Sequence, residues 1–151
     1  MSKSKFECDH AYGWAYLNIA DCDDASKELK ISSISYLNDF PYDFMTKLGL
    51  TIINYYEYGT PIDFSYEIDC EGYSKIFILT PYCAYMLTHL DSVHANYVEV
   101  DDELMFRLFF YLYEHAHDWA DFAPGCKELP LDLVNETKIY NRVKEIYDKG
   151  F

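Results

Sequence analysis

The sequence predicts an α+β fold, a single domain over residues 1–151 in which a mainly antiparallel, meandering sheet is packed by two or three helices. Three observations carry that prediction. Ile62 to Asp69 alternates apolar and polar side chains without a break, the period of a strand with one buried face. The segment after Asp101 and Asp102 and the segment Leu133 to Asp148 instead carry apolar residues at helical spacing. No internal repeat, low-complexity tract or Pro/Gly/Ser-rich linker divides the 151 residues, and that length is enough for one core.

Taken in order, Tyr12 to Ile19 and Leu29 to Ile34 read as short strands around Asp21-Cys22-Asp23-Asp24, a turn whose aspartates can bond the neighbouring backbone. Asn38 or Asp39 is placed to cap a helix through Phe40, Phe44, Leu48, Ile52 and Tyr55, which Gly59-Thr60-Pro61 would stop. Gly49 lies inside that helix, where glycine is a poor helix former. The alternating segment then sets Ile62, Phe64, Tyr66 and Ile68 on one face and Asp63, Ser65, Glu67 and Asp69 on the other. Cys70-Glu71-Gly72 reads as a three-residue hairpin loop, with Gly72 able to take positive φ. That loop leads into a return strand, Tyr73 to Leu79, and places Lys75 opposite Glu67. The return strand is apolar on both faces, as expected of an inner strand covered on one side by a helix, so the acidic strand belongs toward an edge.

Thr80-Pro81 suits the cap and first position of a helix, yet Tyr82 to Leu90 fits a strand about as well. Val93 to Val100 reads as a strand, after which Asp101 or Asp102 caps a helix running to Phe122, before Pro124-Gly125. At about 100° per residue, Glu103, Arg107, Glu114, Asp118 and Asp121 share one narrow stripe of that helix. Leu104, Met105, Phe106, Leu108, Phe109, Phe110, Tyr111, Leu112 and Trp119 fill the rest of its girth. Such a helix must be packed between other elements or else present an aromatic face to a partner, and the first is the expectation. The last helix, Leu133 to Asp148, turns Ile139, Tyr140, Val143, Ile146 and Tyr147 inward and leaves Lys138, Arg142 and Lys149 outside.

Charge narrows the function. Against 12 Lys and Arg stand 26 Asp and Glu, a net −14. The excess is concentrated, because residues 31–126 carry 3 basic and 15 acidic side chains while residues 127–151 carry 5 of each. Nucleic acid and anionic membrane are polyanions, so neither is an expected direct partner. A basic protein is. Met1 to His10 contains Lys3 and Lys5 but no apolar run after them, and the five cysteines (Cys8, Cys22, Cys70, Cys83, Cys126) form no CxxC pair. Both features point to a cytoplasmic protein with reduced thiols.

Catalytic chemistry finds little support in the residues. His115-Ala116-His117-Asp118 has the composition of a metal site, but on a helix residues two apart point about 200° away from each other. Cys8-Asp9-His10 offers a thiol and an imidazole without the sharp turn that presents a nucleophile. His89 and His94 read as surface or core residues, and no phosphate-binding, acyl-transfer or calcium-binding motif occurs. The expectation is therefore a non-enzyme with no catalytic residue, metal or cofactor. Asp63, Glu67 and Asp69 are better read as a comb of charge, since side chains two apart on a strand face are about 6.6 Å apart, a spacing similar to that of successive phosphates. Glu57 and Glu71 lie near the ends of this comb, and Tyr66 and Tyr73 complete the expected partner-binding set. Tyrosine supplies large contact area at low entropic cost, and the chain has 16.

Three segments carry a likeness in layout: Ser35 to Phe40 opening a helix, the Asp69 to Tyr73 hairpin, and Glu114 to Trp119 near the end of a long helix. In these, and in its small acidic α+β plan, the chain resembles the bacterial immunity proteins of contact-dependent inhibition and polymorphic toxin systems. The resemblance implies a cognate inhibitor that blocks the basic cleft of a nuclease toxin. An alternative is a phage- or plasmid-encoded anti-defence protein, a nucleic-acid mimic acting on a restriction or CRISPR effector. A small enzyme or ligand-binding domain is the third reading, and a pocket enclosing two or more carboxylates or histidines would favour it.

Overall fold

The structure, a computed structural model, describes residues 3–38, 40, 42–62, 64–88, 91–119, 122 and 133–150. Among these, seven strands form two antiparallel meanders. β1 (Ser4–Ala11), β2 (Trp14–Asp21) and β3 (Glu28–Ser35) make a three-stranded sheet in chain order. β4 (Phe64–Asp69), β5 (Ser74–Leu79), β6 (Cys83–Thr88) and β7 (Asp91–Glu99) make a four-stranded one with β4 at its edge. The helices are α1 (Tyr42–Tyr58), α2 (Glu103–Glu114) and α3 (Leu133–Asp148). The α+β class and the meander follow the sequence, but in two sheets.

The inward faces of both sheets and the helices share one hydrophobic core. Phe44 of α1 sits at its centre, with ring centroids 5.3 Å from Phe40, 5.0 Å from Phe64, 5.2 Å from Tyr66 and 5.7 Å from Phe77. α2 packs against α1, α3 and β1, and its Leu104, Phe106, Leu108, Phe109 and Leu112 are wholly buried. Val143 and Ile146 of α3 close the core from outside. Gly49 is explained by this packing: a Cβ there would lie 2.5 Å from Ile139 Cγ2 and 2.7 Å from the Phe109 ring. Gly49→Ala is therefore expected to destabilise the fold by about 1–3 kcal/mol in chemical denaturation, although alanine is the better helix former.

The sequence reading missed β1. Its inward positions, Ser4, Phe6, Cys8 and His10, are half polar, which hides the alternation. Partners from α2 and the following turn cover them: Arg107 donates to the Ser4 carbonyl at 2.7 Å, the Tyr111 hydroxyl to the Cys8 carbonyl at 3.0 Å, and Trp119 stacks on His10 with centroids 4.3 Å apart.

Several local expectations are corrected. Of the two expected caps of α1, Asp39 lies outside the described residues and Asn38 does not cap the helix. Asn38 ends a 3-10 turn, Tyr36–Asn38, donates to the carbonyls of Ser35 and Asp69 at 2.8 Å each, and accepts from the Asp69 N–H at 2.6 Å. Asp102 stands at the N-cap of α2 without a side-chain cap bond, and α2 stops at Glu114, with Ala116–Trp119 continuing as 3-10. The open segment after Pro81 is strand β6. The Thr80 hydroxyl bonds the N–H groups of Tyr82 at 3.2 Å and Cys83 at 3.0 Å. This is the local pattern a helix cap would make, here spent on a hairpin turn.

Candidate protein-binding face

β4 folds as its alternation dictates. Phe64, Tyr66 and Ile68 are buried, while Ser65, Glu67 and Asp69 face outward. The register differs from the expected one by a residue. Cys70 N–H donates to the Tyr73 carbonyl at 2.8 Å and closes a two-residue turn, Glu71-Gly72, with φ of +58° and +128°. Glu67 therefore faces Ile76, and Lys75 pairs with the inward Ile68. A one-residue change in loop length turns every side chain of the return strand to the other face. Lys75 is only 7% exposed, donates to the Ser32 carbonyl at 3.0 Å and lies 5.7 Å from the Tyr73 ring centre. Glu71 occupies a left-handed position that asparagine tolerates better. Glu71→Asn is thus expected to stabilise the hairpin by about 0.5–1 kcal/mol in thermal unfolding.

The cation expected within the acidic row is consequently absent from it. Lys47 pairs with Asp43 at 3.3 Å and Arg107 reaches Ser4, so all three central cations are engaged away from the outward side of β4. Beside Glu67, the register lines up Ile76 and Leu87. Beside Ser65 it lines up Ile78, Tyr85 and Tyr97, and the two tyrosine rings lie 6.2 Å apart. Ile76, Ile78 and Tyr85 are half-buried, whereas Leu87 is 36% and Tyr97 60% exposed. The face is thus acidic along its β4 edge and apolar at its middle. On β7, Glu99 is held by Lys3 at 3.1 Å.

Of the expected set, Glu67 and Asp69 share this face, and Asp69 also steadies the turn by accepting the Glu71 N–H at 2.8 Å. Glu71 stands at the hairpin tip and Tyr73 just behind it, 38% exposed. Asp63 lies outside the described residues. Tyr66 is corrected: it is 3% exposed, on the inward face, with its hydroxyl donating to the Asn38 carbonyl at 2.8 Å. Glu57 sits in the last turn of α1, on the segment that leads into β4, where it is held in an ion pair by Arg142 of α3. Ile76, Ile78, Tyr85, Leu87 and Tyr97 were missed. β5 and β6 are apolar on both faces, so alternation gives no sign of which face is open.

The residues with catalytic composition do not assemble. Cys8 and His10 share the inward face of β1 with Asp9 opposite them. Burial, helped by the Asp9 charge, pushes the Cys8 thiol far above its ordinary value, the reverse of what activates a nucleophile. His115 ends α2, its Nδ1 2.9 Å from the Tyr111 carbonyl and its ring stacked on Tyr111. The side chain of His117, and His89, Asp121 and Cys126, lie outside the described residues, as does the side chain of His94. Among the described residues no three His, Cys, Asp or Glu side chains gather as a metal site, and no helix is long and apolar enough to cross a membrane. No known family model matches the chain, and neither a characterised protein nor a solved structure is significantly similar to it.

Proposed function

We propose that this chain is a non-catalytic acidic inhibitor of the cytoplasm, a cognate immunity protein that binds and blocks a nuclease-type toxin domain. The single observation that supports this reading best is the outward face of the four-stranded sheet, where Glu67 and Asp69 border an open row of Ile76, Ile78, Tyr85, Leu87 and Tyr97. The two parts have different tasks. Long-range attraction from a net charge of −14 speeds the encounter with a basic cleft. Desolvation of the apolar centre then sets how long the complex lasts.

The test is co-expression with the product of the adjacent gene. Restored growth of cells expressing that nuclease, with a stable complex on purification, supports immunity. Continued killing with no complex counts against it. The spacing of Glu67 and Asp69 favours a second reading, an anti-defence mimic of a nucleic-acid strand. A mimic should inhibit several nucleic-acid enzymes and lose them steeply with salt, whereas an immunity protein with an apolar contact should hold one partner.

A further inference from the structure

We infer that a hollow at the far end of the four-stranded sheet, walled by Tyr55, Tyr56 and Tyr82 and edged by Asp101 and Asp102, is a binding site for a guanidinium group such as an arginine side chain.

The hollow encloses about 300 Å³, near the lower size of small-ligand sites. Five segments build it: Lys3 before β1, the last turn of α1, Ile62 before β4, the Pro81-Tyr82 turn between β5 and β6, and Val100 to Asp102 leading into α2. Tyr82 is 77% exposed, and its backbone is anchored through its carbonyl, which accepts the Val100 N–H at 2.7 Å. Tyr55 and Tyr56 meet edge to face with centroids 4.7 Å apart. Rings of this kind attract a cation placed over their faces.

The carboxylates supply the sign. Lys3 is the one cation lining the hollow among the described residues, and its ammonium is held by Glu99 at 3.1 Å. Asp101 Oδ2 accepts the Lys3 N–H at 2.9 Å, while its Oδ1 is shut from solvent and accepts no hydrogen bond. Asp102 stands at the N-cap of α2 with no cap bond. Asp102 and Tyr56 line the same hollow, and burial with the Asp102 charge pushes the Tyr56 phenol up to about 12. Lining of this kind suits a delocalised cation with an apolar stem better than a small hydrated ion.

The site deepens the reading of a basic partner, and rests on it only for the source of the cation. Its test needs no partner. The whole protein is titrated with acetyl-arginine amide, with acetyl-citrulline amide as the uncharged isostere, and with inorganic phosphate, while backbone amide NMR shifts are followed. Saturable shifts confined to residues 55–56, 82 and 100–103 are expected with arginine, at an affinity at least about tenfold above that of citrulline. Tyr82→Ala, at an exposed turn position, and Asp102→Asn should each weaken the binding by about three- to tenfold. Equal shifts with citrulline, saturation by phosphate instead of arginine, shifts elsewhere on the molecule, or no shifts would overturn the proposal. If arginine binds here while the adjacent gene product does not bind the protein, the site stands and the immunity reading falls. The opposite pair of results does the reverse.

Discussion

Replacing Phe44 by alanine is expected to cost about 3–5 kcal/mol of stability, measured as a drop in the denaturant midpoint without a change in slope. The ring is about 1% exposed and joins α1 to both β4 and β5 through contacts with Phe64, Tyr66 and Phe77. Removing it leaves a cavity that four rigid aromatic neighbours can fill only by leaving their own rotamers. For a domain of this size a loss of that order is a large part of the total. Phe44→Leu should recover a good share of it, because much of the volume is kept. A loss below about 1 kcal/mol for the alanine variant would mean that α1 does not seat on the four-stranded sheet as described.

The second large effect concerns association. Glu67→Lys combined with Asp69→Asn is expected to slow association with a basic partner about ten- to hundredfold at low salt and much less at high salt. The melting temperature should change little, since Glu67 projects outward and pairs with no described cation. Asparagine is chosen at Asp69 because an amide oxygen can still accept the Glu71 N–H that steadies the turn. Stopped-flow association with the purified partner gives the rate. A rate unchanged across ionic strengths would place the steering charge elsewhere on the chain.

The sequence was legible where one periodicity ruled. β4 and α3 were read at nearly their true limits because each has one apolar and one polar face. The α1 segment, too, was recognised through Phe44, Leu48 and Ile52, and its Gly49 became intelligible only when Ile139 and Phe109 were found against it. Hairpin geometry was not legible in this way. Nothing in Cys70-Glu71-Gly72-Tyr73 separates a two-residue turn carrying Glu71 at φ +58° from a three-residue loop, and asparagine or glycine is the residue usually found there. That one residue decided whether Lys75 neutralised the acidic row or turned into the core.

The candidate face was half legible for a related reason. Charge on an alternating strand is visible in sequence, so Glu67 and Asp69 were found. An open apolar face is invisible when both faces of β5 and β6 are apolar, so Ile76, Ile78, Tyr85, Leu87 and Tyr97 were not. Tyr66 is suggested by its residue type and burial removes it, whereas Glu57 is suggested by its place near one end of the acidic strand and is engaged by Arg142. The hollow beside Asp101 joins residues 55 and 102, a proximity no local pattern encodes.

The central claim is that the outward face of the four-stranded sheet meets a basic protein, and the most direct measurement is hydrogen–deuterium exchange of the chain with and without the purified product of the adjacent gene. Slowed exchange is expected in the peptides covering residues 64–79 and 83–99, with β1 and β2 unchanged. Slowed exchange confined to residues 4–21, or none in the presence of a partner that neutralises the toxin, would contradict it.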